Sequence, residues 1–433
     1  MKKRRISLFN AQPAEDALLV AVQTPGLSQH AVSDCLSELS RLVETSGGRV
    51  VGTVVYRLER PDPAFFITRG KAQDLASKVQ DCAARTVLFD DDLSPAQTRN
   101  LERLTGVRVI DRTQVILDIF AMHAHTKAGR LQVGLAQLEY LLPRLRRMWT
   151  HLERQRGGIG VRGGPGEQQI EVDRRRIKVR ISQLKKELRQ VERHRDQLRK
   201  HRRRHGWILV CLVGYTNAGK STLLNTLTGA SVMVNDKLFA TLDPVTRRLK
   251  LPGNLQVLIT DTVGFIRKLP HQLVEAFHAT LEEVLEADLL LHVVDASHYE
   301  AEAQVEAVNE VLRELGADTR PVIGVLNKVD REGALQRARR LCKLFERAVP
   351  VSALTGQGVN DLLVEISDEL RYQQVRVSVR IPSHRGDLIT LARSSGHVLA
   401  EHYDDGYVKL TANVPADIAG RLRKAEAGAG EER

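Results

Sequence analysis

The chain has 433 residues, room for roughly two to four domains, and carries a formal net charge of +12. A pI near 9.7 points to an anionic partner, nucleic acid before membrane. The four cysteines (Cys35, Cys82, Cys211, Cys342) lack Cys-x-x-Cys or His spacing, which argues against a disulfide framework or zinc site.

The basic stretch Met1–Arg5 is not followed by an apolar core, and no apolar run approaches ~18 residues. The expectation is a cytoplasmic chain without a signal peptide or integral membrane association. Residues 1–115 alternate strand and helix signals. Ala17–Val22, Val50–Tyr56, Thr86–Phe89 and Val107–Ile110 read as strands. Ser28–Val43 and Lys71–Val79 have helical spacing, and Ser94-Pro95 opens a third helix as cap and first-turn proline. That pattern predicts a small α/β domain with parallel strands. Asp90-Asp91-Asp92 reads as a solvated strand-end loop rather than a metal site, since no further ligands are visible.

Residues 116–205 differ in kind. Leu131, Leu135, Leu138, Leu142, Leu145, Trp149 and Leu152 step by fours and threes, as do Ile177, Ile181, Leu184, Leu188, Val191 and Leu198. Between the two seams lies the glycine-rich stretch 157–166, which cannot continue a helix. An antiparallel two-helix hairpin follows, each arm of roughly 22 residues and ~33 Å, with Pro143 a candidate kink. Between Glu171 and Arg204 there are 15 Lys/Arg against 5 Asp/Glu, too few acids to lace the bases by i,i+4 pairs. Phosphate density matches such a stripe, so Arg174, Arg175, Arg176, Arg202, Arg203 and Arg204 are candidate RNA contacts, with Arg162 in the glycine-rich tip. Aromatic residues are sparse, which favours a structured RNA read by shape over stacked single strands.

Residues 206–370 carry the chemistry. The apolar run Trp207–Val213 meets Gly214-Tyr215-Thr216-Asn217-Ala218-Gly219-Lys220-Ser221, and a helical pattern begins at Thr222. This is G-x-x-x-x-G-K-[ST] in its strand–loop–helix setting. Its glycines let backbone N–H groups converge on phosphate oxygens at a helix N-terminus. Lys220 would reach the β- and γ-phosphates, and the Ser221 hydroxyl would hold Mg²⁺. Asp261-Thr262-Val263-Gly264 ends the next apolar run, where Asp261 can hold Mg²⁺ through water and the Gly264 N–H can touch the γ-phosphate. Asn327-Lys328-Val329-Asp330 ends another, and the Asp330 carboxylate can accept two hydrogen bonds from the guanine edge, which adenine cannot supply. Ser352-Ala353-Leu354 suits a backbone contact to the base. Four such segments in order on strand ends specify a GTPase domain that binds GTP and GDP.

Residues 371–433 begin with the alternation Val375, Val377, Val379, Ile381, a half-buried strand. A helix near Asp387–Arg393, a hairpin turning at Asp404-Asp405-Gly406 and a helix over Pro415–Lys424 complete a small α+β domain. The tail Glu426–Arg433 reads as disordered. The fold class is thus α/β multidomain: a P-loop GTPase domain preceded by a small α/β domain and a helical hairpin, and followed by a small α+β domain.

Across essentially its whole length the chain resembles HflX, a family of ribosome-associated GTPases. The resemblance rests on Gly214–Leu223, Phe239–Arg247, Asp261–Ile266, Asn327–Asp330 and the tip Gly157–Glu167. It implies that Thr241 is the switch threonine closing on Mg²⁺ and the γ-phosphate; spacing alone leaves Thr246 equally open. Phe239, Ala240, Thr241, Leu242 and Asp243 join the nucleotide site on that ground, and Lys220, Thr241 and Gly264 are its catalytic residues. Val245 departs from the family's threonine but lies outside the ligand positions. The resemblance also implies binding to the large ribosomal subunit and its rRNA, and splitting of stalled ribosomes under stress. A partly ribosome-associated, cytoplasmic monomer is expected, with a peripheral membrane location left open.

Phe265 stands where many GTPases place a glutamine, and a phenyl ring cannot orient water. Slow intrinsic turnover is expected, with the missing group supplied by K⁺ at Asn217, by docking on the ribosome, or by both. Three other readings stay open: an RNA-modification GTPase, a GTP-gated RNA-binding assembly scaffold, and an ATP- or GTP-dependent RNA remodelling factor.

Overall fold

The apolar run Ala17–Val22 forms the buried centre of β1 (Asp16–Gln23), and three neighbouring runs join it as β2 (Arg49–Arg57), β3 (Thr86–Phe89) and β4 (Arg108–Asp111). The structure, a computed structural model, describes residues 15–145, 165–204, 207–229, 238–239, 243–268, 283–372, 374–404 and 406–428. They pack into two compact units: one holds the described residues up to Gln190 with 238–239, the other those from Val191 onward except these two.

In the first unit the strands run parallel in the order β2-β1-β3-β4, as their crossover helices require. Helices α1 (Gln29–Ser46), α2 (Arg69–Asp81) and α3 (Pro95–Thr105) start where their caps dictate. Ser28 accepts from the Ala31 N–H, and Ser94 with Gln97 forms a capping box. At α4 (Arg112–His123) the cap is Asp111, which accepts from the Gln114 N–H and the Tyr140 hydroxyl and pairs with Arg144 at 2.8 Å.

In the acidic run at the end of β3, Asp90 departs from the solvated-loop expectation, while Asp92 is exposed. Asp90 is 2% exposed and pairs at 2.8 Å with Arg112, itself equally buried and also paired with Glu38. Asp92 accepts from the Thr113 hydroxyl. A buried guanidinium needs carboxylates around it, and the run supplies one from the strand end. No cluster of ligating side chains suited to a metal occurs among the described residues.

Helices α5 (Lys127–Leu145) and α6 (Pro165–Arg204) carry the two seams. Leu131, Leu135 and Leu184 are buried, and Lys185 pairs with Glu139 at 2.8 Å. The second arm is longer than expected: α6 has 40 residues, ~60 Å, because Pro165 serves as a first-turn residue and nothing breaks the run to Arg204. Trp149, Leu152, Arg162 and residues 157–164 of the tip lie outside the described residues.

The second unit is built on β5 (Ile208–Gly214), β6 (Val245–Lys250), β7 (Gln256–Asp261), β8 (Leu289–Asp295), β9 (Val322–Asn327) and β10 (Arg347–Pro350). Their order is β10-β9-β8-β5-β7-β6, with only β6 antiparallel. Residues of these strands pack with those of α7 (Lys220–Thr228) and α10 (Val359–Tyr372) in one apolar core; between the latter two in sequence come α8 (Ala301–Leu315) and α9 (Ala334–Leu341). The chain order reverses on either side of β5, which opens a crevice at its carboxyl end.

The C-terminal part contains β11 (Gln374–Pro382), α11 (Gly386–Ser395), β12 (His397–Asp404), β13 (Tyr407–Pro415) and α12 (Ala416–Gly428). Its antiparallel sheet runs β11-β13-β12. Helix α12 continues through Glu426 to Gly428, where disorder was expected; Glu426 accepts from the Arg380 N–H at 2.9 Å. No helix among the described residues is long and apolar enough to cross a membrane.

Candidate functional site

All four sequence segments come to the carboxyl ends of parallel strands in the second unit. The phosphate loop joins β5 to α7. Gly219 caps α7 at φ 96°, and a Cβ there would lie 2.2 Å from Asn327 Nδ2, so only glycine lets the loop pass. A Cβ on Gly264 would lie 2.8 Å from Thr216 Cα and 3.0 Å from Lys220 Nζ, which puts the Gly264 backbone against the loop.

Lys220 is buried and donates to the carbonyls of Gly214 at 3.0 Å and Tyr215 at 2.8 Å. Burial lowers its pKa to about 8. Ser221 Oγ donates to Asp261 Oδ2 at 2.6 Å. Two hard oxygen donors meeting at that distance fit Mg²⁺, Ser221 as a direct ligand and Asp261 beside it. Thr216 Oγ1 is buried without a hydrogen-bond partner among the described residues.

The base side is tied to the phosphate side. Asn327 donates to the Ala218 carbonyl at 2.8 Å and accepts from the Ala353 N–H at 2.9 Å. Lys328, at φ 64°, donates to the Asn217 carbonyl at 2.7 Å. Thr226 donates to the Ala353 carbonyl at 2.6 Å, and Ser352 is fully buried. Val329 is buried while Asp330 is exposed, open to an approaching base; Leu354, which follows Ala353, is 80% exposed. Thr262 is buried and donates to the Leu212 carbonyl at 2.7 Å, and Val263 is buried, so both support the segment through packing.

Asp295, at the end of β8, was not picked out from the sequence. It pairs with Lys328 at 2.6 Å and accepts from the Ser297 N–H at 2.9 Å. Burial works against its charge, yet the Lys328 ammonium and these hydrogen bonds hold its carboxyl below the usual range. Its position at a strand end, like Asp261, was the available signal.

Phe265 is 2% exposed, and its backbone bonds both to Gly214 and Thr216, at 3.1 and 2.7 Å. Its ring is core. Leu238 and Phe239 are buried in the first unit, where Phe239 lies edge-on to Phe120 with centroids 4.7 Å apart. Ala240, Thr241 and Leu242 lie outside the described residues, and Asp243 is half-buried. Of the basic candidates, Arg175 and Arg176 are exposed, and Arg176 reaches Asp173 at 3.3 Å. Arg174 is half-buried, and Arg202 pairs with Glu283 at 3.1 Å within the second unit. Arg203 and Arg204 lie on α6.

Residues 33–121 match the family described as GTP-binding GTPase N-terminal, 123–202 its middle region, and 209–328 that of 50S ribosome-binding GTPases. The chain is 44% identical over 415 residues to a GTPase HflX of Magnetococcus marinus, covering 95% of both chains. It is equally identical to the Escherichia coli GTPase HflX over 414 residues, 95% of this chain and 96% of that one. A GTP-binding protein from Sulfolobus solfataricus, solved with GDP, is 27% identical with a TM-score of 0.42, over 82% of this chain and 98% of that one.

Proposed function

The chain belongs to the HflX family of GTPases, and we propose that its GTP cycle switches binding to the large ribosomal subunit and its rRNA, helping to split stalled ribosomes under stress. GTP hydrolysis is the chemistry of the phosphate-loop domain. The observation that best supports the ribosomal reading is the match of residues 209–328 to 50S ribosome-binding GTPases, in a chain that also carries the basic helix α6.

Phosphoryl transfer to water needs positioning and charge neutralisation more than covalent chemistry. Lys220 leaves the Gly214 and Tyr215 carbonyls for the phosphates, and the Gly264 N–H meets the γ-phosphate. Ser221, with Asp261 beside it, would hold Mg²⁺, which would supply neutralisation of the phosphate charge. Asp330 selects guanine, and Asn327 and Lys328 hold the base and phosphate loops in one register. Thr241 closes over the γ-phosphate and is released on hydrolysis, which changes affinity for the subunit.

With the Phe265 ring in the core, the group that orients water comes from outside the DxxG segment. K⁺ at Asn217 and docking on the subunit are the two sources. Exchange of K⁺ for Na⁺ without change in stimulated turnover removes the first. The deciding experiment is GTP turnover by the protein alone, with large subunits, and with bare structured RNA. Strong stimulation by subunits but not RNA supports the proposal. Equal rates in all three overturn the ribosomal part and leave the GTPase.

A further inference from the structure

Among the described residues, the C-terminal sheet packs its helices on one face. Val377, Val379, Ile381, Leu410, Ala412 and Val414 share an apolar core with residues of α11 and α12. Strand side chains alternate, so residues one step away point to the opposite face. Register fixes who sits beside whom there. Arg380 is opposite Lys409, which is opposite His402, so one row across three strands carries Arg, Lys and His. The next row is Ser378, Thr411 and Ala400; beyond it Arg376 faces Asn413, and at the other end Tyr407 faces Asp404.

Arg376, Arg380, Lys409 and His402 are all exposed. Among the described residues of these rows the carboxylate is Asp404, and it pairs with Arg380 at 3.7 Å. Arg376 and Lys409 have no acidic partner among the described residues. Like charges directly opposite on a sheet face destabilise it, with Cβ atoms only ~5 Å apart. Such a row is tolerated where an anion covers it.

The other residues say which anion. Ser378 and Thr411 hydroxyls bond each other at 3.1 Å, Asn413 adds an amide, and the Arg380 guanidinium lies 4.6 Å from the Tyr407 ring centre. Cations, hydroxyls and an amide are the groups that contact phosphate and ribose oxygens. Among the described residues of these rows, Ala400 is a small apolar side chain and the Tyr407 ring is already covered by Arg380, so they offer neither the large anchor of a protein interface nor a free platform for base stacking. Along β11, Arg376 and Arg380 stand ~13 Å apart, so the basic surface extends in two directions.

We propose that this open sheet face binds the sugar–phosphate backbone of RNA without reading its sequence. It forms a second RNA surface, separate from α6, and its test does not need the ribosome. The full chain is titrated with a fluorescent A-form RNA duplex over a range of salt, as wild type and as Arg376→Gln/Lys409→Gln. Both positions are exposed and outside the nucleotide site, so GTP affinity serves as the folding control. Affinity should fall at least fivefold, and the slope of log K against log salt should shrink by roughly 2. RNA carrying 4-thiouridine should crosslink to the peptide containing Tyr407. An unchanged slope with no crosslink between Gln374 and Pro415 overturns the proposal, as does failure of the wild type to bind the duplex. Weakened binding to ribosomal subunits with the duplex slope intact points instead to an acidic protein partner, and overturns it equally.

Discussion

Lys328 Nζ lies 2.7 Å from the Asn217 carbonyl and 2.6 Å from Asp295, so one ammonium joins the guanine loop, the phosphate loop and the end of β8. Asp295 is a positioning residue in this arrangement. Asp295→Asn keeps the shape but removes the charge that holds the ammonium. GDP and GTP affinity should both fall about 10-fold, on the order of 1.4 kcal/mol. Preference for guanine over adenine should persist, because Asp330 is untouched. Fluorescent-nucleotide titration checks this; a loss of selectivity without loss of affinity would contradict it.

Lys220 titrates near pH 8 in the free site because burial disfavours its ammonium. Phosphates favour the charged form, so binding above that pH must draw in a proton. Nucleotide affinity should hold from pH 6 to ~7.5 and then weaken, by at most tenfold per unit, between ~8 and ~10. Calorimetry at pH 8.5 in buffers of different ionisation enthalpy should register proton uptake on GDP binding. Lys220→Ala should lose binding altogether.

The phosphate loop, the strand ends and the nucleotide-binding segments were legible because each is a local motif with a local geometric demand, as at Gly219 and Gly264. Helix starts at Ser28 and Ser94 were legible for the same reason. What sequence did not reveal depends on partners far along the chain. Asp90 looked like loop until Arg112, itself paired with Glu38, met it in the core. Glu426 looked like tail until the Arg380 N–H found it. Asp295 needed Lys328, and the length of α6 needed Pro165 to begin a helix rather than end a tip.

Replacing Phe265 with glutamine should not restore fast hydrolysis. The side chain is in the core, and its backbone is fixed to Gly214 and Thr216. A buried amide without partners replaces well-packed ring contacts there, at about 3 kcal/mol. Phe265→Gln should therefore lower the unfolding midpoint and leave single-turnover hydrolysis no faster. A faster variant would place the side chain at the reacting water.

His292 lies at 1% exposure, edge-on to Phe345 at 5.3 Å. Burial lowers its pKa to about 3, with Lys220 adding to the effect. The unfolded chain takes up this proton near pH 6.5 while the folded one does not, so stability is present above that pH and falls below it. The loss should approach 1.4 kcal/mol per unit, about 2 kcal/mol by pH 5. Denaturant melts at pH 7 and 5 should show it, and His292→Gln should flatten this limb.

The basic candidates on α6 divide by what they touch. Arg175 and Arg176 are exposed, whereas Arg202 is drawn to Glu283 with 26% of its side chain accessible. Arg176 also reaches Asp173, but with 73% of its side chain accessible; a guanidinium that is both paired and largely covered, as Arg202 is, releases few counterions when RNA arrives. Arg175→Ala and Arg176→Ala should each reduce the salt slope of RNA binding by about 1. Arg202→Ala should leave that slope nearly unchanged and lower the unfolding midpoint, since the Glu283 carboxylate, at 14% exposure, loses the Arg202 guanidinium. Salt titrations and melts of the three variants separate the two roles. A slope that falls only in Arg202→Ala would reverse the assignment.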